Sequence, residues 1–80
     1  MRILDVKNDK SLKKVIIYLT NLEAQELLDD LKAMLESNER AFHAHVNDLM
    51  YEHEITLTLY DENNLMMFDN RSKKLIKSDE

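Results

Sequence analysis

The 80-residue chain contains no cysteine, no glycine and no proline. Without cysteine it has no disulfide framework, no thiolate metal site and no thiol nucleophile. Average usage of about 7% Gly and 5% Pro would place roughly six and four of these residues in a chain of this length. The absence of glycine excludes dinucleotide-binding fingerprints, P-loops and EF-hand loops, each of which needs a backbone position that only glycine tolerates. Turns must therefore be built by Asn, Asp and Ser, which bond their own backbone and tolerate left-handed conformations. No apolar run approaches the roughly 20 residues of a membrane span. The start, Met1-Arg2-Ile3-Leu4-Asp5, lacks the apolar stretch of a signal peptide, so a cytoplasmic protein is expected. A net charge of −5 and a pI near 5.1 argue against binding to a phosphate backbone.

What is present is a patterned α+β chain with 44% apolar residues, long enough for one small domain spanning residues 1–80. Residues 2–7 and 13–19 read as strands around a polar turn at Asn8-Asp9-Lys10-Ser11, which is the economical form of a hairpin. The run Lys13-Lys14-Val15-Ile16-Ile17-Tyr18-Leu19 has the strongest strand composition in the chain, β-branched and aromatic. Thr20-Asn21-Leu22-Glu23 fits a capping box. Ala24, Leu27, Leu28, Leu31, Met34 and Leu35 follow at helical spacing, and Ser37-Asn38 offers a stop.

Residues 41–46 alternate, with Phe42, Ala44 and Val46 facing one way and His43 and His45 the other. Residues 53–60 also alternate, with Ile55, Leu57 and Leu59 inward. Asp61 is positioned to cap a last helix carrying Leu65–Phe68 and then Leu75 and Ile76, with an interruption at Asp69-Asn70. The expected fold is ββαββα: one four-stranded antiparallel sheet with helices packed on one face. A 40-residue shift aligns the apolar positions of the halves (Val15 with Ile55, Ile17 with Leu57, Leu19 with Leu59). That is compatible with an internal ββα duplication, but any two ββα units would align in this way and few of the pairs are identities, so the plainer reading is the stronger.

Candidate sites follow from this pattern. On a strand, His43-x-His45 projects two imidazoles from one face, a spacing that suits a metal given a third ligand such as Glu54; two solvated histidines are the plainer alternative. Residues 21–39 carry Glu23, Glu26, Asp29, Asp30, Glu36 and Glu39 against Lys32 alone, a net −5, whereas residues 1–20 are net +3. An acidic helix centred on Glu26, Asp29 and Asp30 suits a basic protein partner. Ile16 and Tyr18 would face outward on their strand, an apolar pair suited to a partner or a homodimer. Lys7, Lys10, Lys13 and Lys14, and Arg71, Lys73, Lys74 and Lys77, are small basic sets opposed by the acidic helix, so nucleic acid is a poor fit. Ser11, Ser37 and Ser72 have no motif around them, and nothing suggests a nucleophile, a cofactor or an enzyme.

The run Leu22-Glu-Ala-Gln-Glu-Leu-Leu, the segments Phe-His-Ala-His-Val-Asn-Asp at 42–48 and Glu-Ile-Thr-Leu-Thr-Leu-Tyr at 54–60, and Arg71-Ser-Lys-Lys-Leu-Ile together resemble a group of small Gram-positive bacterial proteins and proteins of their mobile elements. The likeness spans about residues 15–76. It implies a bacterial cytosolic protein and assigns no activity to any residue. The leading expectation is a non-enzymatic binding module of regulatory or toxin-neutralising type. The alternative is a small metal-binding protein using His43 and His45.

Overall fold

A computed structural model describes residues 1–37 and 43–80. Its elements run in the order β1 (Ile3–Asp5), β2 (Lys10–Leu12), α1 (Asn21–Glu36), β3 (His43–Asn47), β4 (Glu54–Thr58) and α2 (Asn70–Ser78). The chain is thus α+β with ββαββα order. Its contacts gather into two units: one made of Met1–Ile17 with Asp61–Glu80, the other of Tyr18–Tyr60.

In the second unit, α1 begins where the sequence demands. The Thr20 hydroxyl accepts the Glu23 N–H at 3.2 Å, and the Glu23 carboxylate accepts the Thr20 N–H at 2.9 Å, which completes the capping box. At the other end the Ser37 N–H reaches the Ala33 and Met34 carbonyls. Asn38, expected to stop this helix, lies outside the described residues, as do Glu39 and Phe42. β3 and β4 form an antiparallel ladder pairing His43 with Thr58, Ala44 with Leu57, His45 with Thr56, Val46 with Ile55 and Asn47 with Glu54. The expected alternation holds, because Ala44 and Val46 are buried while His43 and His45 are exposed. α1 packs on β3. The most buried side chain is Met34, only 2% exposed.

The expected leucine stripe is only partly covered. Leu27 is half-buried, and Leu28, Leu31 and Leu35 remain exposed. Glu23, Leu27, Asp30 and Met34 share the covered edge of the helix. Leu28, Leu31 and Leu35 lie about 100° around its axis, beyond the reach of a two-stranded hairpin.

In the first unit, β1 and β2 pair in a register of Ile3 with Leu12, Leu4 with Ser11 and Asp5 with Lys10. The connection is residues 6–9, earlier than the expected Asn8–Ser11 turn. Asp5 makes it, accepting the Asn8 N–H at 3.2 Å and the Asn8 side-chain amide at 2.8 Å, while Asp9 takes the left-handed conformation at φ 54°. This early turn overturns the expected strand at residues 13–19. In this register Lys13 would fall against Arg2, but the ladder stops at the Ile3–Leu12 pair. Residues 13–19 form no strand, and Ile16 and Tyr18 do not lie on a sheet face. The two ladders are separate two-stranded sheets among the described residues.

The expected helix from Asp61 is also shorter. Asp61 accepts the Asn63 N–H at 2.9 Å and Asn64 accepts the Met66 N–H at 3.4 Å, local bonds that compete with a helical path. Asp69 is the true N-cap, accepting the Ser72 N–H at 2.7 Å. The cap amide draws the Asp69 carboxyl below the usual carboxylate range. Arg2 holds the far end of α2, its Nε donating to the Leu75 and Ile76 carbonyls at 3.0 and 3.2 Å. Lys13 pairs with Asp79, the left-handed C-cap of α2, and Arg71 pairs with Asp9 at 2.5 Å. Hydrogen bonding to Lys13 holds the Asp79 carboxyl below its usual range, with the Lys13 and Arg2 charges adding to it. These pairs offset the unfavourable position of a carboxylate at a helix C-terminus.

Candidate functional site

α1 is the longest element among the described residues. Glu26 and Asp29 are exposed, and Asp29 accepts a hydrogen bond at 2.9 Å from the Gln25 side chain one turn earlier. Asp30 differs from the sequence expectation: it is half-buried on the edge of the helix shared with Leu27 and Met34. Glu36 is exposed near the C-terminus, and no basic side chain occupies the last turn. Leu28, Leu31 and Leu35 follow one another at four- and three-residue steps, so they form a continuous apolar line along the helix. The helix thus presents an exposed leucine line and, roughly 100–130° further round its axis, the exposed carboxylates Asp29 and Glu36, with Glu26 on the side opposite the leucines. The leucine line was hidden in the sequence because its spacing is that of any core-facing stripe.

The outer face of the β3–β4 ladder carries the two histidines. His43 Nδ1 lies 2.7 Å from the Thr58 hydroxyl. His45 Nδ1 lies 2.7 Å from Glu54 Oε1 and 2.9 Å from the Thr56 hydroxyl. The structure therefore brings Glu54 to His45, as the strand parity anticipates, but His43 is turned to a threonine. Among the described residues no group of three or more His, Asp or Glu side chains is arranged to hold a metal ion.

The connection between β3 and β4 is organised by Asp48, where the sequence places the start of a turn, though not its bond to His53. One carboxylate oxygen accepts the Glu52 and His53 N–H groups at 2.8 and 3.3 Å, and the other lies 2.5 Å from His53 Nδ1. The hydrogen bond to His53 holds the Asp48 carboxyl below its usual range; the same bond and the Asp48 charge push the His53 imidazole above its usual value. Within this brace Tyr51 adopts a left-handed backbone at φ 55°, and Leu49, Met50 and Tyr51 are all exposed. An Asp followed five residues later by a His across a turn is the signal that was available for it.

Ile16 and Tyr18, expected to lie on the outer sheet face, are highly exposed within a segment that belongs to no ladder. No helix among the described residues is long and apolar enough to cross a membrane. Comparisons with protein-family models, with curated proteins and with solved structures return no match to this chain.

Proposed function

We propose that this chain is a non-enzymatic protein-binding module of regulatory or toxin-neutralising type, acting in the bacterial cytoplasm on a basic partner. The observation that carries this reading is the combination on α1 of exposed Glu26, Asp29 and Glu36 with the exposed line Leu28, Leu31 and Leu35. Carboxylates raise the encounter rate with a basic partner, and the leucines supply the apolar area that holds it. A basic amphipathic helix meets both requirements, because its own apolar stripe repeats at the same spacing.

A synthetic amphipathic Lys/Leu peptide is the probe, with binding followed by calorimetry over a range of salt concentrations. Binding is expected to weaken with salt, to fall at least tenfold in a Glu26→Lys, Asp29→Lys variant, and to be lost in Leu28→Ser, Leu31→Ser. No binding to the peptide, or binding indifferent to both variants, overturns the assignment of this face.

A further inference from the structure

Val15-Ile16-Ile17-Tyr18-Leu19 is the one stretch of strong strand composition that the fold leaves unpaired among the described residues. None of its backbone N–H or C=O groups has a hydrogen-bond partner there. Its exposure alternates with a period of two: 52, 77, 50, 88 and 38% from Val15 to Leu19. Two faces are thus already differentiated along it, as in a strand. The same pattern forty residues later, Ile55–Leu59, lies in the paired strand β4 through Thr58. No proline, charge or bulge within the five residues blocks edge pairing, the usual protection of a free strand.

We propose that Val15–Leu19 is a self-association strand that pairs antiparallel with the same segment of a second copy, about a twofold axis at Ile17. The flanking charges select both partner and direction. Lys14 precedes the segment and Glu26 follows it; Lys13 and Glu23 are engaged within the chain, by Asp79 and the Thr20 amide. Antiparallel pairing lays the basic lead-in of each copy beside the acidic helix start of the other; parallel pairing stacks like on like. In the antiparallel register Val15 faces Leu19 and Ile16 faces Tyr18, a β-branched–aromatic cross-strand pair on the wetter face. Ile17 faces its own counterpart, so the interface is isologous and closes as a dimer. A five-residue ladder covers less than the roughly 1,600 Å² of a standard interface, so the dimer is of the weak, concentration-dependent class. The inference uses a different segment and a different partner from the α1 reading and shares with it only Glu26.

The twofold position supplies the test. Sedimentation of the full chain over increasing concentration is expected to shift from monomer to dimer. Ile17→Asp and Ile17→Lys, each placing like charges opposite one another, are expected to stay monomeric alone and to dimerise when mixed in equal amounts. Circular dichroism checks that both remain folded. Hydrogen exchange on the unaltered chain is the second readout: residues 15–19 are expected to gain protection only as concentration rises. A chain monomeric at every concentration, or a dimer unaffected by Ile17→Asp, overturns the proposal. Protection of 15–19 that is independent of concentration also overturns it, and points to a ladder within the chain, as in a single four-stranded sheet.

Discussion

His53 Nδ1 and Asp48 Oδ2 stand 2.5 Å apart across the base of the β3–β4 loop, and the same carboxylate caps two backbone amides of that loop. One side chain thus closes the hairpin electrostatically and through the main chain.

The pair gives the hairpin a pH window. The His53 imidazole is raised from its ordinary 6.5, so its contribution is complete below that value and is lost as pH rises through the raised one. The Asp48 carboxyl is lowered from 3.8, so its contribution is present above that value and is lost as pH falls through the lowered one. The loop is expected to be best closed between the two ordinary values. NMR titration of the His53 ring should give a midpoint above 6.5, and Asp48→Asn should return it to the ordinary range. An unchanged midpoint in Asp48→Asn would mean that the pair does not form in solution.

Met34 and Leu31 separate the covered and uncovered edges of α1. Met34→Ala should cost about 2–4 kcal/mol, as truncation of a buried side chain does. Leu31→Ala should cost less than about 1 kcal/mol, because Leu31 already meets solvent. Denaturant titration of the two variants decides this. Equal costs would place the leucine line in a core.

Thr20→Ala should remove about 1 kcal/mol and fray the first turn of α1, since it deletes the hydroxyl that holds the Glu23 amide. Thr20→Ser should restore most of the loss. Far-UV circular dichroism during thermal melting reports both, and a Thr20→Ala chain that melts like the parent would rule out the capping box.

Arg2 tests how α2 is fastened. Arg2→Met keeps much of the aliphatic stem and removes the donor to the Leu75 and Ile76 carbonyls. The amides of the last turn of α2 should exchange faster, while those of β3 and β4 keep their rates. Uniform acceleration across the chain would show that Arg2 supports more than the helix end.

Local signals in the sequence were accurate where one element suffices to satisfy them. The Thr20 box, the helical spacing of α1 and the alternation at 41–46 and 53–60, where strands run over 43–47 and 54–58, each fix a structure by short-range chemistry. Val15–Leu19 shows where such reading ends. Its composition is that of a strand, but a strand exists only with a partner, and the turn placed by Asp5 and Asn8 gives β1 to Lys10–Leu12 instead. Leu28, Leu31 and Leu35 repeat the lesson: spacing marks an apolar face, while its cover depends on the width of what packs there. Glu26 and Asp29 were legible as an exposed acidic face; Asp30 was not, because its rotation toward Met34 follows from which edge of the helix meets β3.

Residues 18–60 form one unit in unbroken sequence, whereas the other unit joins residues 1–17 to 61–80. During synthesis the first of these can assemble as soon as its own residues leave the ribosome, since α1, β3 and β4 are neighbours along the chain. The N-terminal hairpin emerges earlier still, but its ties through Arg2, Asp9 and Lys13 await Arg71, Leu75, Ile76 and Asp79, 62 to 74 residues downstream. The oldest part of the nascent chain is therefore the last to be secured, and it waits with Val15–Leu19 uncovered at its end.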